Sequence, residues 1–268
     1  MSPVPSQADI NKVAEDLIEK VEQICAMPQQ IVDKYDDVAR SLFVRLVLRI
    51  SEKIVEWGQK FADAVKRAGE KLVEILKGIA APGFFIATSF DWADVSTTAS
   101  TLGADLQSEK VTLNETWAGT GATAYRTVTP SHSAAAARIG TMANTTRLAM
   151  LQCGIAGVAL YASALAAASV FITEVIAEVA AAGTGVGAIP AAIAGVLSTT
   201  KVITLITVAL TALSALILAQ VNNIQNVDVE ARSGLAFPDG AWPKAATGRY
   251  DDATVLDGDA DWSTNTGN

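Results

Sequence analysis

Apolar side chains recur at intervals of three and four through the first third of the chain. Ile10, Val13, Leu17, Val21, Ile24, Ile31, Tyr35, Val38 and Leu42 form one series, and Leu46, Ile50, Ile54, Trp57, Phe61, Val65, Ala68, Leu72, Ile75 and Ile79 continue it. The spacing is that of an α-helix, so residues 1–80 read as long amphipathic helix presenting one stripe to a partner. Pro28 has no N–H and crowds the preceding turn, so a kink or a restart is expected there. An uninterrupted helix from Gln29 to Ile79 would be about 75 Å long, a length typical of rods and coiled coils. Ala81-Pro82-Gly83 is the expected stop.

The pattern changes in residues 148–227, which carry one positive and two negative side chains. Two apolar segments, Leu148–Thr173 and Val202–Val227, flank the run Gly183-Thr-Gly185-Val-Gly187-Ala-Ile-Pro190. Each exceeds the roughly 20 residues of helix that cross a hydrocarbon core, and the Gly/Pro joint lets the second fold back on the first. Residues 151–227 therefore predict a hydrophobic helical hairpin. Its first arm is dominated by Ala, Gly and Ser, which let helices approach closely in lipid or in a tight soluble bundle, so the hairpin could reside in either. Glu174, Glu178 and Lys201 lie near the joint, with Lys201 expected to face one of the carboxylates. Like charges four residues apart on a helix repel by a few tenths of a kcal/mol. Lys201, water at the tip or a polar pore lining would account for the pair.

Between these regions, residues 88–150 predict a helix–turn–helix. Asp91 is a candidate N-cap with Asp94 in the first turn, and Val95, Leu102, Leu106 and Leu113 supply a weak apolar face ending near Asn114. After the turn Trp117-Ala118-Gly119, a helix opens at Ala122–Tyr125 and continues beyond a break at Pro130 into Ala134–Met150. From Asp228 to Asn268 the chain turns to Gly, Asp, Thr, Pro and Trp, the composition of an acidic, disordered tail. Its run Asp251–Asp261 alternates acids but lacks the closing Glu of a calcium loop. Trp242 and Trp262 read as exposed tail residues or short recognition anchors. Strand-like alternation is missing, so the fold class is all-α: an elongated bundle of long antiparallel helices with a hydrophobic hairpin.

Composition narrows the function classes. Half of the 268 residues are hydrophobic, 6% are aromatic and the net charge is −8. With no basic patch, nucleic acid is excluded as a partner; membrane contact would rest on apolar burial rather than on attraction to anionic lipid. Cys25 and Cys153 sit at apolar helical positions and read as buried free thiols, with a single bridge open if the protein is exported. The N-terminus lacks the basic and apolar regions of an ordinary signal peptide. His132, the sole histidine, reads as a helix-entry residue. Gly183–Gly187 follows a helix and lacks the Lys-Ser/Thr of a phosphate loop. No metal, cofactor or small-molecule substrate is expected, and the chain reads as a non-enzyme.

The turn between two helices at Trp117 and Gly119, preceded by Leu102, Leu106 and Leu113 and followed by Ala122 and Tyr125, resembles the WxG superfamily of type VII secretion substrates over residues 88–150. The resemblance implies export without a classical signal peptide, with Trp117, Gly119 and Tyr125 as the secretion or partner motif. Gly119 would supply the positive φ of a tight turn and Trp117 an apolar lid or partner contact. Signals of that family place an acid four residues after a Tyr. Here Ala39, Thr129, Leu165 and Thr254 follow Tyr35, Tyr125, Tyr161 and Tyr250, so export would need a partner bearing the signal or a variant of it.

These features lead to an expected function: a secreted helical protein whose hairpin contacts or enters a membrane, with pore formation as one outcome. Membrane lipid and a helical partner or homo-oligomer are the expected partners. The alternatives are a permanent two-span component of a secretion apparatus or cell envelope, and a soluble partner-binding module.

Overall fold

The computed structural model describes residues 4–41, 44–45, 50–107, 120–232, 234 and 236–244, without the side chains of 120–122 and 239. The described residues form an all-α fold without strands. Five helices follow one another: α1 (Gln7–Arg40), α2 (Ser51–Leu76), α3 (Ala81–Asp105), α4 (Thr120–Ala182) and α5 (Ala188–Ala231), then a short 3-10 turn at Pro238–Gly240.

The N-terminus of α1 is set by a capping box. The Asp9 amide donates to Ser6 Oγ at 3.2 Å, and the Ser6 amide donates to Asp9 Oδ2 at 3.1 Å, satisfying two donors that a helix start leaves without partners. α1 continues through Pro28 without a restart. An interior proline costs about 3 kcal/mol. Yet Leu17, Val21, Ile24, Met27, Ile31 and Tyr35 are buried along the same stripe, and each fully buried aliphatic contributes roughly 1.5–3 kcal/mol. The stripe outweighs the proline. The chain reverses instead between Arg40 and Ser51, where Ser41 leaves the helix in an extended conformation and its Oγ accepts from the Val44 amide at 3.4 Å. The single 75 Å helix is thus two shorter antiparallel ones: Tyr35 lies against Gly58, and Ile24 and Cys25 against Gly69.

A second correction concerns Ala81-Pro82-Gly83. α2 ends at Leu76, and Pro82 opens α3, where its missing N–H is one the first turn does not use. Asp91, read as an N-cap, therefore lies inside α3. Pro130 likewise sits within α4 rather than breaking it.

The chain divides into two compact units, the first of residues 1–85 and 152–217 and the second of 86–151 and 218–268. In the first, α1 and α2 pack with the C-terminal part of α4 and the N-terminal part of α5 around one core. Leu17, Tyr35, Phe61, Leu72, Phe171 and Val175 are fully buried in it, or nearly so. Tyr35 and Phe61 meet edge to face, with centroids 6.5 Å apart. Phe61 also lies on Gly195 of α5 so closely that its ring occupies the space a Cβ would need. A Cβ at Gly58 would stand 2.5 Å from that of Tyr35. These two glycines let the amphipathic pair seat against each other and against the hairpin.

In the second unit α3 and α4 pair antiparallel through small residues. Ser96 Oγ donates to the Gly140 carbonyl at 2.8 Å, and Ser133 Oγ donates to that of Gly103 at 2.6 Å. The segment after α5 turns back onto α4. His132 Nε2–H donates to the Pro243 carbonyl at 2.7 Å, and the His132 and Trp242 rings lie 5.4 Å apart. His132 is thus an interior α4 residue that docks a returning segment, not a helix-entry residue. Asp228–Ala231 belong to α5, and residues 236–244 have a described conformation. The acidic run Asp251–Asp261 and Trp262 lie outside the described residues.

Candidate functional site

The hairpin expected from the Gly/Pro joint is present, with α4 and α5 as its arms. At the end of α4 the amides of Gly183, Thr184 and Gly185 donate to the carbonyls of Ala180, Ala181 and Ala182 at 3.1–3.2 Å. Gly185 adopts φ +73°, a conformation that costs other residues about 1–2 kcal/mol. Thr184 Oγ1 accepts from the Gly187 amide at 3.0 Å as α5 begins, and Pro190 falls in the first turn of α5, where its ring is tolerated. The stem of Lys34 runs past Gly183, placing a cation beside the negative end of the α4 macrodipole.

The three polar residues near the joint do not arrange as expected. Lys201 forms no ion pair with either glutamate among the described residues. Glu178 instead accepts from Ser198 Oγ across the hairpin at 3.0 Å. Its second oxygen, Oε2, is buried and takes no hydrogen bond, as is the hydroxyl of Tyr35 on α1. Burial, and after it the negative charge of Glu178, pushes the Tyr35 phenol well above its ordinary value. Glu174 and Lys201 both line one groove between α4 and α5, with a volume of about 620 Å³.

Apart from Ser198, the serines and threonines of the arms in residues 151–227 bond within their own helices. In α5, Thr199, Thr200, Thr204, Thr207, Thr211 and Ser214 each donate to the carbonyl four residues back, at 2.7–2.9 Å. Ser163, Ser169 and Thr173 do the same in α4. Side chains bonded this way need neither water nor a partner, which makes the arms compatible with an apolar medium.

Large aliphatic side chains cover the open face of the hairpin. Leu205 is 61% exposed, Val208 62%, Leu197 57% and Val170 58%. Among the described residues, three helical stretches are long and apolar enough to cross a membrane: Ser51–Asp105, Thr123–Ala182 and Ala188–Ala231. Only 11% of the most apolar window of the last is buried. The sequence reading found the last two and missed the first, whose apolar run bridges the end of α2 and the start of α3 and so has no helical period of its own.

Of the WxG-like motif, Trp117 and Gly119 lie outside the described residues. Tyr125 sits half-buried in α4, and its carbonyl accepts from Thr129 Oγ1 at 2.7 Å. Cys25 and Cys153 are free. Cys25 proves exposed rather than buried, with its sulfur beside Gly69 of α2. Partial burial, and then the charge of Glu70, holds its thiol above the ordinary value, the wrong direction for a thiolate nucleophile. No cluster of metal-binding side chains occurs among the described residues. No protein-family model, characterised protein or solved structure matches the chain.

Proposed function

We propose that this protein is a non-enzymatic membrane-associating helical protein in which α1 and α2 sheathe one face of an apolar hairpin and lipid receives the other. The observation that carries the reading is the aliphatic open face of α4 and α5, with Leu197, Leu205, Val208 and Val170 each more than half exposed. Completing the burial of such a side chain contributes roughly 1–2 kcal/mol, so four of them give a surface that favours an apolar medium. The internally bonded hydroxyls support the same reading. The packing of Phe61 on Gly195 favours a sheathed hairpin over permanent spans, because permanent spans would leave the charged sheath without its present core. In the proposed mechanism the sheath swings aside at a bilayer and the hairpin enters. The resemblance at Trp117, Gly119 and Tyr125 supplies the route by which the protein reaches that bilayer: a type VII-like export system, with a helical partner or further copies of the chain assisting.

Flotation with liposomes tests the central reading. The purified full chain should be soluble without detergent, rise with phospholipid vesicles in a density gradient and release an entrapped dye. Protein that stays at the bottom of the gradient at every lipid concentration overturns the proposal. Carbonate-resistant residence in the producing cell's own membrane would favour permanent spans.

A further inference from the structure

The groove between the hairpin arms has a shape and a charge pattern of its own. Its α4 wall runs from Leu160 to Glu174, about 21 Å at 1.5 Å per residue, and Ile75 of α2 closes one side. The Glu178–Ser198 bond fixes the antiparallel register, so Glu174 and Lys201 stand at one end and Leu160 and Ala212 at the other. Between those ends the lining is aliphatic or small, apart from Ser163, whose hydroxyl already donates to Ala159. The volume of about 620 Å³ lies within the roughly 300–1,000 Å³ of small-molecule sites. Spread over that length it gives a mean cross-section of about 30 Å². A single extended hydrocarbon chain matches a groove of that length and section. The slot is also longer than the roughly 15 Å of one leaflet's hydrocarbon layer.

We infer that the groove holds the acyl chain of a zwitterionic glycerophospholipid, with the lipid phosphate at Lys201 and its ammonium at Glu174. Neither side chain makes an ion pair among the described residues, although both line the same end of the groove. Two opposite charges at the mouth of an apolar slot complement a head group that carries both signs. A fatty acid or an anionic phospholipid would satisfy Lys201 but set a like charge against Glu174, on a chain that already carries −8. The inference rests on the membrane reading for the source of the ligand and goes further by naming its class and its seat.

Native mass spectrometry and calorimetry of the full chain test it, with palmitoyl lysophosphatidylethanolamine below its aggregation threshold as the probe. Binding should be saturable, one to one, and about tenfold tighter than that of palmitoyl lysophosphatidylglycerol or palmitate. Ala166→Trp and Ala212→Trp replace exposed lining residues, so they fill the slot without entering the core, and each should weaken binding about tenfold or more. Glu174→Gln and Lys201→Gln should abolish the preference for the zwitterion while leaving the acyl chain bound. Lack of saturable binding, equal binding by both Trp variants, or a stable dimer that closes the groove would overturn the inference. Flotation separates it from the reading beneath it. Wild-type protein that floats with vesicles yet binds no lysolipid overturns the groove assignment alone. Protein that binds lysolipid one to one but never floats overturns the membrane reading alone.

Discussion

Tyr35 buries its hydroxyl without a hydrogen bond, beside the core that joins the sheath to the hairpin. A buried hydroxyl lacking a partner costs about 1–3 kcal/mol, so Tyr35→Phe should leave the protein as stable at neutral pH, or more so. The alkaline behaviour follows from linkage. The folded phenol titrates above the ordinary value of 10.0, because burial and then the Glu178 charge disfavour the phenolate. The fold is therefore favoured fully below pH 10 and loses that contribution as pH rises toward the folded value. Chemical denaturation of wild type and Tyr35→Phe from pH 8 to 12 should show the variant losing less stability above pH 10. Parallel curves would mean that Tyr35 is not shielded in solution. At this scale the sequence was legible in part. Ile24, Ile31, Phe61, Val65 and Leu72 were read as core from spacing alone, and all are buried. The Glu178–Ser198 bond was not legible. Ser198 belongs to a hydroxyl-rich run in which no single residue stands out, and Lys201 offered the more obvious electrostatic partner.

At the scale of elements, the sheath and the hairpin are distinct in chemistry and share one core. α1 and α2 carry nine of the chain's 20 lysines and arginines, some in surface pairs such as Lys60–Glu56 at 2.6 Å and Lys71–Glu74 at 2.9 Å, which contribute little to stability. Their hold on the hairpin is apolar. If membrane entry requires α1 to leave, tethering it should block entry. Lys34 and Gly183 are neighbours, so Lys34→Cys and Gly183→Cys can be joined by a short, cleavable thiol reagent once Cys25 and Cys153 are replaced by Ser. The tethered protein should release little dye from vesicles, and cleavage should restore release. Unimpeded release from the tethered form would show that the sheath need not move. The reversal between Arg40 and Ser51 was the element least legible beforehand. Leu42, Leu46 and Ile50 keep the apolar period across it, and it contains neither Gly nor Pro. The visible breakers, Pro28 and Pro130, lie inside helices that continue through them. The glycine joint, by contrast, was plain, because Gly183, Gly185 and Gly187 fall within five residues and Pro190 follows, whereas the other glycines of the run are scattered singly.

For the whole molecule, the two units rest on different physics. The first is held by large aliphatic and aromatic side chains, the second by the close approach of Ser and Ala on α3 and α4 and by the return of Trp242 and Pro243 to His132. The proposed export depends on Trp117 and Gly119, which lie outside the described residues. Trp117→Ala should cut secretion by about tenfold or more in a host carrying a type VII-like system, with the intracellular level unchanged. Undiminished secretion would remove that turn from the recognition step. The proposed export route rests in the sequence only on a resemblance, since seven matching positions specify a helix–turn–helix more firmly than they specify what reads it.

The threonines and serines of α5 give that helix an indifference to solvent. With every hydroxyl but that of Ser198 returned to its own backbone, the segment presents one hydroxyl donor, held by Glu178, that must find a new acceptor if the arms part. Passage from protein interior to hydrocarbon would then leave the helical ladder as it stands and act on side-chain packing alone. The barrier to such a passage would lie where aromatic rings must be drawn off a bare backbone, at the contact of Phe61 with Gly195.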